Sequence, residues 1–321
     1  MGEAIQVTPL EFKPERKKAA LVLFSVTLIW GATFVWMKQA LDALDAELAL
    51  YGSFGVVALL VAGRFFIATV LVFCVFSSAR AGLRDPEVWK GGGLLGGILL
   101  VGFVSQMIGL DSINPSTSAF LTSLYIVFTA LISRRLGGKP LTRMLVIGVL
   151  LATFGAGFIE GPPHLSWGWG EVLTVGSATF FALHIIYTDI ITAKQDPLAI
   201  TLSSFLVVTA GALLLFLFSG QPPVEVAQNV LSSREVVLPL IYLGVGGSFF
   251  CLVALNIYQR HLHPVQAAII YGFEPVWATL FGLGLGMVEW TWWILVGGGA
   301  LLLGNLLVEM TVSTPQMDEA E

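Results

Sequence analysis

Long apolar runs, cut at intervals by proline, glycine and charged residues, make up most of this chain. Read as helices, they predict approximate spans at 19–41, 58–79, 88–109, 115–133, 143–160, 169–190, 198–218, 236–258, 264–286 and 290–309. Each approaches the roughly 20 residues a helix needs to cross a bilayer. Turn signals fall between them: Asp85-Pro86, Asn114-Pro115, Gly137-Gly138-Lys139-Pro140, Gly161-Pro162-Pro163, Asp196-Pro197, Pro222-Pro223 and His263-Pro264. The pattern predicts an all-α integral membrane protein with ten transmembrane helices. The run from Ala19 follows Arg16, Lys17 and Lys18. It exceeds the roughly 7–15 apolar residues of a secretory signal and is expected to remain as the first span. Beyond Thr311 the chain is polar and acidic, which suits a tail.

Composition agrees. Of 321 residues, 56% are hydrophobic and 12% charged, whereas soluble domains carry about 25% charged residues. A net charge of −5 offers nothing to nucleic acid. Cys74 and Cys251 lie in apolar runs and are expected as packed thiols, not a disulfide. Residues 42–63 are ambiguous: Asp42, Asp45 and Glu47 precede an apolar run that reads as an extra span, an interfacial segment or a lengthened start to the second span. Charge decides for ten spans. With a cytoplasmic N-terminus, inner segments carry Lys13, Arg16, Lys17, Lys18, Arg80, Arg84, Lys90, Arg134, Arg135, Lys139, Arg143, Lys194 and Arg260, thirteen of the sixteen basic residues. Outer segments carry Lys38 and Arg234, and Arg64 lies within the second span. An eleventh span would set the basic segments on opposite sides, against the positive-inside rule. Both termini are therefore expected in the cytoplasm.

The chain also repeats. Shifted by 149 residues, positions 113–160 meet 262–309 with ten identities in 48 gapless positions, among them Pro115/Pro264, Gly148/Gly297, Gly155/Gly304 and Glu160/Glu309. Composition alone would give about four. Five spans is an odd number, so the second copy must be inverted. Arg134, Arg135, Lys139 and Arg143 correspond to Leu283, Gly284, Val288 and Trp292, as a loop moved to the outer face requires. The expected organisation is a cytoplasmic N-terminal segment 1–18, five-helix repeats at 19–161 and 162–310, and a cytoplasmic tail 311–321. Inverted repeats are a mark of secondary transporters, whose sites lie near mid-membrane between the halves.

Chemistry concentrates in a few polar residues within the spans. Glu274, beside Pro275, lies near the middle of the ninth span, where a carboxylate costs about 2.5–3.5 kcal/mol. It reads as a proton or cation site, or as a structural group tying down backbone that Pro275 frees. Tyr271 and Ala278 share its helix face. The repeat maps Glu274 onto Tyr125, within a stripe of Ser118, Thr122, Tyr125 and Thr129 that either glues helices or lines a wet path. His184 and Tyr187 share a face of the sixth span, and His184 is a second candidate for proton coupling. Trp30, Thr33 and Met37 share a face of the first, too deep for an interfacial belt. Gln106 and Asn256 are lone amides, readable as interhelical glue. The expected substrate cavity thus comprises Trp30, Thr33, Gln106, Ser118, Thr122, Tyr125, His184, Tyr187, Asn256, Tyr271 and Glu274. Arg64, Asp189 and Lys38 read as nearer the span ends, with the basic pair snorkelling to headgroups. No metal, phosphate-loop or nucleophile-elbow pattern occurs, so no cofactor and no enzymatic activity is expected.

Ile29-Trp30-Gly31-Ala32-Thr33-Phe34, Gly63-Arg64-Phe65-Phe66-Ile67-Ala68, Ala119 to Tyr125, and Phe273-Glu274-Pro275-Val276-Trp277-Ala278 with Glu289 and the Gly297 to Gly304 run form a set of motifs along the spans. In their order and spacing they resemble the drug/metabolite transporter superfamily in its bacterial ten-helix, EamA-type branch. The resemblance covers about residues 19–309 and implies two inverted five-helix repeats around a central cavity. That cavity is lined mainly by spans one, three, four, six, eight and nine. It also implies transport of amino acids, metabolites or drug-like compounds, more often outward, across a bacterial cytoplasmic membrane. The Trp30 to Arg64 stretch is longer than the family pattern, and Pro140 stands where the second copy has Glu289. The expected function is a secondary transporter of small organic metabolites working by alternating access. The partners are a small-molecule substrate and the lipid bilayer. A membrane enzyme or sensor without transport is the alternative.

Overall fold

The computed structural model describes residues 13–137, 142–158 and 168–313, and among them regular structure is entirely helical. In chain order the helices are α1 (Lys13–Asp42), α2 (Asp45–Tyr51), α3 (Ser53–Val75), α4 (Ser77–Gly82), α5 (Pro86–Asp111), α6 (Pro115–Thr122), α7 (Tyr125–Leu136) and α8 (Arg143–Phe158). Then come α9 (Trp169–Thr192), α10 (Pro197–Leu217), α11 (Pro223–Ser232), α12 (Arg234–Tyr242), a π-helical segment Leu243–Phe250, α13 (Cys251–Tyr258), a short 3-10 turn, α14 (Pro264–Tyr271), α15 (Glu274–Gly284) and α16 (Trp292–Ser313). Lys139, Pro140, Glu160, Pro162, Pro163 and the acidic tail lie outside the described residues.

Eight of these helical stretches are long and apolar enough to cross a membrane, and two shorter apolar stretches, Val146–Gly155 and Trp292–Gly304, accompany them. Several start where the sequence signals a start. Asp85, Asn114 and Asp196 each stand before a proline, and each side chain accepts a backbone N–H two or three residues on, at 2.8–2.9 Å. The side chain satisfies an orphan donor, while proline at the first helical position loses none that the helix needs.

Several boundaries differ from the sequence reading, and two kinds of difference bear on the site. Residues 42–63 do not form an extra span; they hold a short helix followed by a lengthened start to the second span. The seven-residue α2 ends at Gly52, whose φ of +77° turns the chain in a conformation that favours glycine, and α3 starts at Ser53. The second span therefore begins five residues earlier than periodicity placed it. The runs at 115–133 and 264–286 are each two helices. A turn at Ser123-Leu124 separates α6 from α7, and one at Gly272-Phe273 separates α14 from α15. These turns are 149 residues apart, the repeat shift.

Helices from the two halves of the sequence pack on each other. α3 and α5 lie against α10, α5 also against α9, α8 against α16, and α1 against α12, α13 and α15. The α8–α16 crossing is reciprocal. A Cβ on Gly155 would fall 2.4 Å from the Gly297 carbonyl, and one on Gly304 would fall 2.6 Å from that of Gly148. Gly148 and Gly155 correspond to Gly297 and Gly304 in the repeat, so the contact maps onto itself. Only glycine permits such backbone approach between helices. Cys251 is buried as expected, but Cys74 is exposed on the surface of α3. An apolar run along a membrane helix also has an outward-facing side, and Cys74 is on it.

Candidate functional site

A cavity opens among α1, α3, α5, α6, α7, α9, α13, α14 and α15, at the level of the two helix breaks. It is narrow, with a volume of about 50 Å³, room for a few waters. Its two breaks put repeat-equivalent residues face to face. Tyr125 begins α7 and Glu274 begins α15. The Tyr125 hydroxyl donates to Glu274 Oε2 at 3.4 Å, between residues 149 apart in sequence. Pro275 sits in the first turn of α15, where its missing N–H leaves that helix intact but removes a bond to the end of α14.

The wall opposite comes from α1. A Cβ on Gly31 would fall 2.9 Å from the Glu274 carbonyl and 2.4 Å from Trp277 Cβ, so glycine is what lets α1 lie on the break. Trp30 then turns into the cavity, donates Nε1–H to the Gly247 carbonyl at 3.0 Å, and meets the Tyr271 ring edge-on with centroids 5.3 Å apart. Tyr271 donates to Gln259 Oε1 at 3.1 Å, and Gln259 Nε2 donates to the Ile185 carbonyl at 2.7 Å. Gln106 donates to Thr122 Oγ1 at 3.1 Å. His184 lies 3.5 Å from Thr188 Oγ1 through Nδ1, while its buried Nε2 has no partner.

Eight of the expected residues line this one cavity: Trp30, Thr33, Gln106, Thr122, Tyr125, His184, Tyr271 and Glu274. Three do not. Ser118 is fully buried one turn from Thr122, away from the cavity. Tyr187 packs beside Val88, Leu95, Ala199 and Ile200, where α9 has run past the cavity. Asn256 donates to Thr201 Oγ1 at 2.7 Å and ties α13 to α10, which is the interhelical glue weighed for it.

Arg64 overturns the snorkelling reading. It lies mid-way along α3, is 2% exposed, and lines the cavity. Nε donates to Ser248 Oγ at 2.6 Å, and Nη1 lies 3.7 Å from Met37 Sδ. The guanidinium carbon sits 4.3 Å from the Phe103 ring centroid, a cation–π contact. Nη2 is buried without a partner. The misreading follows from the boundary: counted from Ser53, Arg64 is central, whereas a span starting at residue 58 put it nearer an end. Lys38 does sit at a helix end, donating to the Asp111 carbonyl at 2.8 Å and pairing with Asp42 at 3.4 Å. Asp189 is half-buried on α9 and outside the cavity lining. Phe103 and Phe181, whose rings meet edge-on at 5.2 Å, were invisible to sequence reasoning, since an aromatic in an apolar run carries no functional signal. Among the described residues no cluster of histidine, cysteine or carboxylate side chains could hold a metal.

Known proteins resemble the chain along most of its length. The model of the EamA-like transporter family matches residues 17–160 and again 168–310. An uncharacterized transporter of Archaeoglobus fulgidus is 28% identical over 300 residues, covering 93% of this chain and 88% of its own. The uncharacterized inner membrane transporter YedA of Escherichia coli strain K12 is 24% identical, with 84% of each chain covered. The uncharacterized transporter YoaV of Bacillus subtilis is 22% identical, covering 83% of this chain and 87% of its own. One protein crystal structure superposes with a TM-score of 0.66 at 18% identity, over 93% of this chain and 99% of the other. That likeness speaks to the fold alone.

Proposed function

The chain belongs to the EamA-like transporter family, and from that premise we propose that it is a secondary transporter of small organic metabolites. It works by alternating access through the cavity between its halves. The family and the names of its relatives point to a transporter, not an enzyme. The observation that carries the mechanism is the contact between Tyr125 and Glu274, equivalent positions of the repeat that meet beside a buried cavity. Residues equivalent by an internal two-fold meet only near its axis, and substrate sites of inverted-repeat transporters lie there.

Ten crossings follow when the eight long spans are joined by the two shorter apolar helices. They divide as 19–161 and 162–310, in inverted five-helix repeats. The matched helix breaks, the reciprocal α8–α16 crossing and the twofold family match all support that division. The basic bias puts both termini in the cytoplasm, the membrane is the bacterial cytoplasmic one, and export is the direction that the resemblance favours. Substrate lies against Trp30, Thr33, Gln106, Thr122, Tyr125, His184, Tyr271 and Glu274. As described, the cavity is too small for a metabolite, so binding requires the halves to part. Glu274 exchanges protons or meets a cationic group, with His184 as the second proton candidate. A flux screen on purified protein in proteoliposomes tests the function. Movement of a metabolite without chemical change is expected; turnover of the solute, or no movement across the library, would count against transport.

A further inference from the structure

We infer that Arg64 is the group that recognises substrate, and that the substrate carries an anionic group, a carboxylate, on an apolar or aromatic body. The inference rests on the cavity being the substrate site. Arg64 is a permanent charge, because a guanidinium does not deprotonate in proteins. It is buried at the middle of a membrane-spanning helix, where a charge normally finds a counter-ion. Arg64 has none in contact: among the described residues no carboxylate lies within 4.0 Å of it, and the carboxyl that acts on its charge through space is Glu274. Glu274 lines the same cavity, but its one hydrogen bond is from Tyr125.

The protein instead holds the guanidinium still and leaves part of it free. Ser248 takes Nε, Met37 lies against Nη1, and the Phe103 ring covers one face. Ser248 is available because Leu243–Phe250 is π-helical. A π-helical segment displaces side chains from their ordinary register, and such segments often mark functional sites. A Cβ on the adjacent Gly247 would lie 3.1 Å from Arg64 Nη2, so glycine there leaves room beside the free nitrogen. Nη2 is thus a preorganised donor with no acceptor among the described residues. A carboxylate meets a guanidinium edge in a bidentate pair. The neighbouring walls are Trp30, Phe103, Phe181, Leu252 and Tyr271, which suit a flat apolar body, while the ionisable Glu274 and His184 complete the lining.

Three probes of matched size separate this from a role for Arg64 inside the chain: phenylacetate, phenylethanol and phenylethylamine. Equilibrium dialysis of each labelled probe against the purified wild-type protein should show the acid binding at least about tenfold tighter than the alcohol and the amine, since a charge-assisted hydrogen bond contributes about 1.5–3 kcal/mol. Arg64→Gln should abolish that preference and leave the weak alcohol binding in place. Ser248→Ala keeps the arginine but frees its guanidinium; acid affinity should drop several-fold while alcohol affinity holds. That variant decides the matter if Arg64→Gln does not fold. Equal binding of the three probes, preference for the amine, no binding of the acid, or an acid preference that survives these substitutions would overturn the inference. The transport reading has its own readout, the reactivity of a cysteine at position 122 from the two sides of the membrane. A wild-type protein that shows no anion selectivity but keeps that reactivity would remove Arg64 as the recognition residue and leave the cavity standing.

Discussion

Glu274 is a carboxyl buried at the start of a half-helix, with a tyrosine hydroxyl as its hydrogen-bonding partner. A structural carboxyl there would hold α15 in place, while a coupling carboxyl would gain and lose a proton during transport. Glu274→Gln separates the two, because glutamine keeps shape and hydrogen-bonding capacity but cannot ionise. The expected outcome is normal expression and thermal stability with concentrative transport lost and exchange down a gradient retained, measured by flux in proteoliposomes. A stable variant that concentrates substrate like the parent would remove Glu274 from coupling; a variant that does not fold would favour the structural role through Pro275. A second residue-scale expectation concerns Gly31. Gly31→Ala drives a methyl into Trp277 and the Glu274 carbonyl, and overpacking of this kind costs about 1–3 kcal/mol, readable as a lowered unfolding temperature in detergent. Polar residues were legible in the sequence because polarity inside an apolar run is a strong signal. Arg64 was equally visible and wrongly placed, since its meaning depended on a helix start set by the φ of Gly52. Ser118 and Thr122 lie four residues apart on one stripe, yet Thr122 lines the cavity and Ser118 does not, a distinction that periodicity does not draw.

At the scale of elements, the α8–α16 crossing stands on glycines that repeat at the same shift as the helix breaks. Gly155→Val would place branched carbons where the backbone of Leu301 now sits, 2.3 Å from the first added carbon. It should destabilise the protein by at least about 1–3 kcal/mol. Gly93, with nothing within 4 Å of an added Cβ, is the matched control: Gly93→Ala should be neutral or stabilise by up to about 1 kcal/mol through helix propensity. Equal loss in the two variants, followed by thermal unfolding in detergent, would argue against a close-packed crossing. The all-helical membrane class and several helix starts could be read from apolar runs and from Asp-Pro, Asn-Pro and His-Pro pairs. The breaks at Ser123-Leu124 and Gly272-Phe273 could not, because both halves of each run are equally apolar and only Pro275 hints at one of them. The π-helical register of Leu243–Phe250, which packs against α1 and α3, was likewise hidden, as nothing in its apolar run marks the change of register.

For the whole molecule, the basic bias predicts the orientation. Single cysteines at Ala46, on exposed α2, and at Ala81, on exposed α4, in a background without Cys74 and Cys251, should react oppositely with an impermeant thiol reagent in intact cells. Labelling at position 46 with protection at 81 is expected, and the reverse would invert the topology. The repeat was legible at this scale as ten matched residues, whereas the meeting of its copies at Tyr125 and Glu274 needed the helices in place. Alternating access then makes a demand that neither a membrane enzyme nor a static sensor makes. The same mid-membrane position must reach water from each side in turn. Thr122 lines the cavity beside Gln106, and Thr122→Cys in the cysteine-free background is a small change there. Labelled with an impermeant reagent in right-side-out and inside-out vesicles, it should react from both faces, and a bound substrate should slow both reactions. A cysteine at 122 that reacts from one face only under every condition, or from neither, would contradict alternating access through this cavity.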